Sequence, residues 1–191
     1  MKIHMLKKLV FLWLCALGAG TAQADILSPG MFSKDTIGQV GSMETKGGFS
    51  AQFWMTTDEQ IFTTWAKSSA IRNLKPNIEV KRNTPIFLAL FMANPGIRNA
   101  AKQGEPPRPV SNVTFDLYVI NPAGTLTLAD KQRMGWRGTA PSPGLVYLAK
   151  DRGVVSFEAI DPAGEYTIAV IIHDNVRKVD IKLMRKLQLL E

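Results

Sequence analysis

Val179-Asp-Ile181-Lys-Leu183-Met-Arg185-Lys-Leu187-Gln-Leu189 alternates, residue by residue, between an apolar face and a mostly charged one. That period of two is the signature of a strand with one face buried and one face wet. Arg185 is the single break in it. Just upstream, Tyr166, Ile168, Val170 and Ile172 share a face, with Thr167, Ala169, Ile171 and His173 opposite. Asp174-Asn175 begins a turn between the two runs, so the pair reads as an antiparallel hairpin.

Earlier segments repeat the pattern. Phe49, Ala51, Phe53 and Met55 alternate with Ser50, Gln52, Trp54 and Thr56, and Val113, Phe115, Leu117 and Val119 alternate with Thr114, Asp116, Tyr118 and Ile120. Val155, Phe157 and Ala159 form a shorter run, as do Ile78 and Val80. Ile86 to Met92 is apolar throughout, as expected of a strand buried on both faces. Asn121-Pro-Ala-Gly124 and Asp161-Pro-Ala-Gly164 share one turn chemistry: an Asx acceptor, a Pro that presets φ, and a closing Gly. One short helix is expected around 58–66, because Thr57-Asp58 offers an N-cap and Ile61, Phe62 and Trp65 fall on one helical face, with an edge strand as the alternative for this short, Thr-rich segment. Trp54, pointing away from Phe49 and Phe53, is expected beneath it. Strands separated by such turns, with almost no helix, predict an all-β fold, an antiparallel immunoglobulin-like β-sandwich.

The first residues have a different logic. Lys2, Lys7 and Lys8 precede the apolar run Leu9–Ala19, and Ala22-Gln-Ala24 supplies small residues ahead of a cut. Residues 1–24 therefore read as a cleaved secretory signal, shorter than a membrane span of about 20 apolar residues. Residues 25–48, rich in Gly, read as an irregular N-terminal segment, and 49–191 as the sandwich domain. Cys15 is the only cysteine and lies inside the signal, so the exported part has no disulfide and no thiolate site. Loss of three lysines lowers the formal charge from +7 to +4, an ordinary solubility charge that does not argue for nucleic acid. The expected location is the periplasm or the medium, with no membrane span after cleavage.

Two resemblances sharpen the fold. Asp161-Pro-Ala-Gly164-Glu-Tyr166-Thr-Ile168 resembles the entry to strand F of immunoglobulin-like domains, where a Tyr hydroxyl ties down a corner and a core residue follows two places on. Tyr166 takes the corner position, Ile168 the core position, and Asp161 and Gly164 the turn, with the acid one residue further from the Tyr than usual. The order Thr57-Asp58-Glu59 with Phe62 and Trp65, Val80-Lys-Arg-Asn-Thr-Pro85-Ile86, Val113-Thr-Phe115-Asp116, Asn121-Pro-Ala-Gly124, Gly164-Glu-Tyr166 and Asp174-Asn-Val176 is similar to a group of uncharacterised bacterial exported proteins. That resemblance implies an exported immunoglobulin-like sandwich and carries no activity, since fold does not imply function.

Chemistry has few footholds. His173 is the single histidine of the exported part and has no Cys or second His beside it, so no metal site and no cofactor are expected. No G-x-S-x-G elbow, no phosphate loop and no calcium loop is present. The chain is therefore expected not to be an enzyme; paired carboxylates, with Asp58 and Glu59 among the candidates, leave a carboxylate-dependent hydrolase as the weaker alternative. Binding is the stronger expectation. Arg133-Met-Gly135-Trp136-Arg137 sets an aromatic between cations in what reads as a loop, Gly135–Gly144, and Arg98, Lys102 and Arg108 lie in a second, Pro-rich one, Ile97–Ser111. These six residues are candidate contacts for another envelope protein. The alternatives are glycan recognition through Trp136 and Trp65, or a Trp136 that simply plugs the core. The basic residues of the last hairpin read first as protection of an edge strand.

Overall fold

The computed structural model describes residues 43–68, 78–101 and 103–191. The expected signal 1–24, most of the irregular segment 25–48, and Lys102 lie outside the described residues. Among the described residues the elements are eleven strands, β1 (Met43–Lys46), β2 (Phe49–Thr56), β3 (Ile78–Val80), β4 (Ile86–Ala93), β5 (Arg98–Ala100), β6 (Arg108–Ile120), β7 (Leu126–Thr139), β8 (Val146–Leu148), β9 (Gly153–Val155), β10 (Gly164–Asp174) and β11 (Val179–Leu189), and one helix, α1 (Gln60–Ser68). One sheet runs β1-β2-β4, with β8 and β9 sharing the far side of β4; the other runs β3-β11-β10-β6, with β5 and β7 flanking β6. All pairings are antiparallel except the short β3, which lies parallel to β11. This is the antiparallel immunoglobulin-like sandwich that the alternation predicts.

The core forms where the period-two faces meet. Phe49, Phe53 and Met55 of β2 face Val113, Phe115, Ile168, Val170, Ile172, Ile181 and Leu183 of the opposite sheet, all buried. Fully burying a side chain of this size contributes roughly 1.5–3 kcal/mol each, so alternation on several strands fixes the register of each. The last hairpin pairs without a slip from Gly164↔Leu189 to Asp174↔Val179. Asp174 closes it: buried, its Oδ1 accepts the amides of Val176 and Arg177, both at 3.0 Å.

Ile86–Met92 is buried on both faces because α1 lies over the outer one. Asp58 caps the helix, its Oδ1 accepting the Gln60 amide at 2.8 Å. Ile61, Phe62 and Trp65 then pack on Trp54, Phe87, Ala89 and Phe91, with Trp65 edge-on to Phe91 at 4.8 Å between ring centres. The helix begins after Glu59, which therefore stands outside its first turn.

The corner forms as its resemblance implies. The Tyr166 hydroxyl donates to the Pro162 carbonyl at 3.0 Å. Asp161 accepts the Glu158 amide at 2.7 Å, and its own carbonyl accepts from the Arg82 guanidinium. Gly164 has φ +140, and a Cβ there would meet Pro122 at 2.9 Å. Ile168 is fully buried.

Four expectations need correction. Met43–Lys46, placed in the irregular segment, is a strand whose hairpin with β2 turns on two positive-φ glycines, Gly47 and Gly48. The stretch read as the loop Ile97–Ser111 contains β5 and the start of β6, which pair with each other on either side of the connection between them. The stretch read as the loop Gly135–Gly144 is strand up to Thr139. Gly135 is not a loop glycine but a point of close approach, where a Cβ would lie 3.1 Å from Val113 and 3.2 Å from Met92. Finally, β11 is not an edge strand throughout, since β3 pairs with its end.

Candidate functional site

A groove of about 310 Å³ opens between α1 and the seam that joins the two sheets, lined by Phe62, Trp65, Trp136, Tyr147, Lys150 and Arg152, among others. The seam is the chain from Ala149 to Asp151. Ala149 donates its amide to Leu90 of one sheet at 2.8 Å, and Lys150 and Asp151 donate theirs to Gly135 and Met134 of the other, both at 2.9 Å. A segment that crosses between sheets in this way carries its side chains to the rim of the sandwich.

Trp136 is half-buried. It sits opposite Val113 in the ladder, packs on the core, and meets Tyr147 edge-on at 4.9 Å. Its indole N–H donates to the Thr139 carbonyl at 2.8 Å. The Lys150 ammonium lies 4.6 Å from the ring centre and donates to the Arg137 carbonyl at 3.1 Å. So Trp136 both closes the core and lines the groove. Burial, and secondarily the Asp174 carboxylate, raise the Tyr147 phenol well above its ordinary range. Arg152 lies over the Phe62 ring at 4.5 Å and pairs with Glu59 at 3.3 Å. Among the described residues, Lys150 has no carboxylate partner, which leaves it the groove's free positive charge.

The five described candidate contacts do not form one site. Arg133 is a clamp: it pairs with Asp130 at 2.9 Å, lies 3.6 Å from Asp151, and donates to the Arg152 carbonyl at 2.8 Å, holding the seam to β7. Arg137 lies opposite Asn112, and Arg98 opposite Val110. Residues facing each other across a ladder share a face. Arg98, Arg108 and Arg137 therefore stand together on the outer face of the second sheet, on the opposite side of that sheet from Trp136. Arg108 also pairs with Glu105 at 3.5 Å. The structure thus separates the arginines from Trp136 and instead joins Trp136 to Trp65. Tyr147, Lys150 and Arg152 escaped the sequence reading; no motif spacing marks them, since β8 and the seam acquire their place only through pairing with β4 and β7.

The candidate carboxylates are structural: Asp58 caps α1 and Glu59 pairs with Arg152. His173 lies 2.8 Å from Asp180 through Nδ1 and 3.5 Å from Asp116 through Nε2. Among the described residues, no group of three or more ligating side chains is arranged to hold a metal ion, and no helix is long and apolar enough to cross a membrane.

No family model matches the chain, and no curated protein does. Two solved structures are similar in part. A family 123 glycoside hydrolase from Clostridium perfringens is 12% identical over 74% of this chain, with a TM-score of 0.40. This chain spans only 27% of that enzyme. A Niemann-Pick type C2 protein from Japanese carpenter ant is 11% identical over 79% of this chain and 93% of its own, with a TM-score of 0.39. At these scores neither bears on what the groove holds.

Proposed function

We propose that this chain is a non-catalytic exported domain that binds another envelope protein, and that the groove between α1 and the seam takes an acidic, partly apolar segment of that partner. The observation that carries this reading is the meeting of Trp65 and Trp136, distant in sequence, in one groove beside the unpaired Lys150. Aromatic side chains of this kind anchor protein interfaces, and an exposed cation beside them favours an acidic partner. The carboxylates weighed for catalysis already serve as a cap and a salt bridge, which favours binding over hydrolysis.

The test is capture of envelope proteins by the exported protein and by Lys150→Glu. Lys150 is exposed, so the variant keeps the fold. We expect a partner retained by the wild type and lost, by tenfold or more in affinity, by the variant. Equal capture by both would remove the groove from the interface.

A second reading follows from the same two indoles. Paired Trp rings are also the stacking surfaces of a glycan site. The Lys150 ammonium over Trp136 restricts such a ligand to an acidic saccharide. Quenching of Trp fluorescence by uronic-acid oligosaccharides, without any protein partner, would favour it.

A further inference from the structure

We propose that the end of the sandwich carrying Ile97, Leu145 and Val146 docks on an anionic lipid bilayer. The site is distinct from the groove and does not depend on the reading given to it.

Strand direction puts five connections at this end: Asn94–Ile97 between β4 and β5, the turn from β5 into β6, the chain from β7 into β8, and the turns of the β1–β2 and β10–β11 hairpins. Two of them are tied together, for the Gly144 amide donates to the Asn94 side chain at 2.8 Å. The next residue is Leu145. It is 58% exposed, Val146 and Ile97 are 50% exposed each, and all three are aliphatic. Single exposed apolar residues are ordinary, but several at one end of a domain mark a contact surface. Ile160, at the other end, stands between Glu158 and Asp161 instead.

The charge around these residues is mainly positive; the exposed acids include Glu105 and Asp180, and Asp180 is paired with His173. Arg98 follows Ile97 directly. Arg108 and Arg137 share its sheet face, and Lys178 is exposed in the turn of the last hairpin. Glu105 is the one exposed acid within the β5–β6 turn, and its 3.5 Å pair with Arg108, both side chains well exposed, is of the solvent-screened kind that yields readily. Asp174 is buried and occupied by backbone amides and Arg177. Aliphatic side chains at the tip with arginines behind them match the layering of a bilayer surface, acyl chains below and phosphates above. A protein interface of the usual kind would centre on aromatic residues, and among the described residues this end has none among its exposed apolar side chains.

The test is co-sedimentation of the protein, as released by an exporting host, with vesicles of phosphatidylcholine alone and of phosphatidylcholine mixed with phosphatidylglycerol. We expect pelleting with the anionic vesicles at low salt, release at high salt, and little pelleting with the neutral ones. Arg98→Gln and Arg137→Gln should each weaken binding about fivefold, and Leu145→Asp should abolish it. All variants share one N-terminus, so differences between them report this end only. Arg98 and Arg137 are exposed and outside the core, so their loss leaves the fold intact. Failure of the wild type to pellet with anionic vesicles at low salt would overturn the proposal. So would equal pelleting by wild type and by the double Arg→Gln variant.

Discussion

The Arg185 guanidinium lies over the Trp54 ring, its central carbon 3.9 Å from the ring centre. Its Nε donates to the neighbouring Phe53 carbonyl at 2.8 Å. β1 pairs with β2 only from Phe49 to Gln52, so the later carbonyls of β2 lack a strand on that side. Arg185 supplies a donor to one of them and closes the sandwich rim between β2 and β11. Its break in an otherwise apolar face is therefore a rim contact, and burial lowers the pKa of the guanidinium accordingly.

Arg185→Ala should cost about 1–3 kcal/mol, combining a lost charged hydrogen bond with a lost cation–ring contact. Arg185→Lys should recover only part, because an ammonium lacks the flat donor edge. Urea unfolding of both variants checks this; midpoints equal to the wild type would mean that the rim needs no guanidinium.

Gly96→Ala should destabilise by about 1–3 kcal/mol through overpacking. The added Cβ would fall 2.6 Å from the Arg177 side chain and 2.8 Å from the Asp174 carboxylate. The Gly96 amide also donates to Asp174, so the change disturbs the turn that ends the last hairpin. Thermal unfolding reads the effect, and an unchanged midpoint would show that this turn can give way freely.

The sandwich was legible because burial and alternation are the same fact seen from two sides. Val179–Leu189 shows its core face in its own residues, and so do Phe49–Met55 and Val113–Val119. Trp54 under α1 was legible too, since it points away from Phe49 and Phe53. What hid was set by contacts distant in sequence. Gly135, Gly138 and Pro141 read as loop residues, yet Gly135 is a strand residue pressed against Val113 and Met92, and that carries Trp136 into β7. Arg133 looked like a surface cation beside an aromatic. Its partner Asp130 is three residues away on the same strand, but Asp151 becomes a neighbour only when the seam crosses to β7. Of the groove, Trp65 and Trp136 were visible as aromatics without a place, while Tyr147, Lys150 and Arg152 carried no signal at all.

Stability should fall at alkaline pH. Burial is the main cause that raises the phenols of Tyr118, Tyr147 and Tyr166, and the carboxylates of Asp116, Asp174 and Asp161 add to it in turn. The folded state thus holds protons that the unfolded chain gives up at about pH 10. Their contribution is fully present below that pH and is lost as pH rises above it. The Tyr147 hydroxyl is buried with no hydrogen-bond partner among the described residues. Tyr147→Phe should therefore be near neutral in stability below about pH 10 and flatten the decline above it. A decline of undiminished steepness in the variant would assign the effect to other groups.

Export should leave Asp25 as the first residue. Intact mass and N-terminal sequencing of the protein recovered from the envelope read this directly. A retained Met1–Ala24 segment would make the chain membrane-anchored and would confine both binding surfaces to the bilayer's neighbourhood.

We place the partner in the groove between α1 and the seam. Ala66 lines that groove and is exposed, so a photo-reactive side chain placed there reports occupancy without removing a contact. In living cells, irradiation of the Ala66 derivative should give one discrete covalent adduct, absent when Lys150→Glu is present in the same chain. Adducts formed equally with and without Lys150, or formed only from probes on the outer face of the second sheet, would contradict the account.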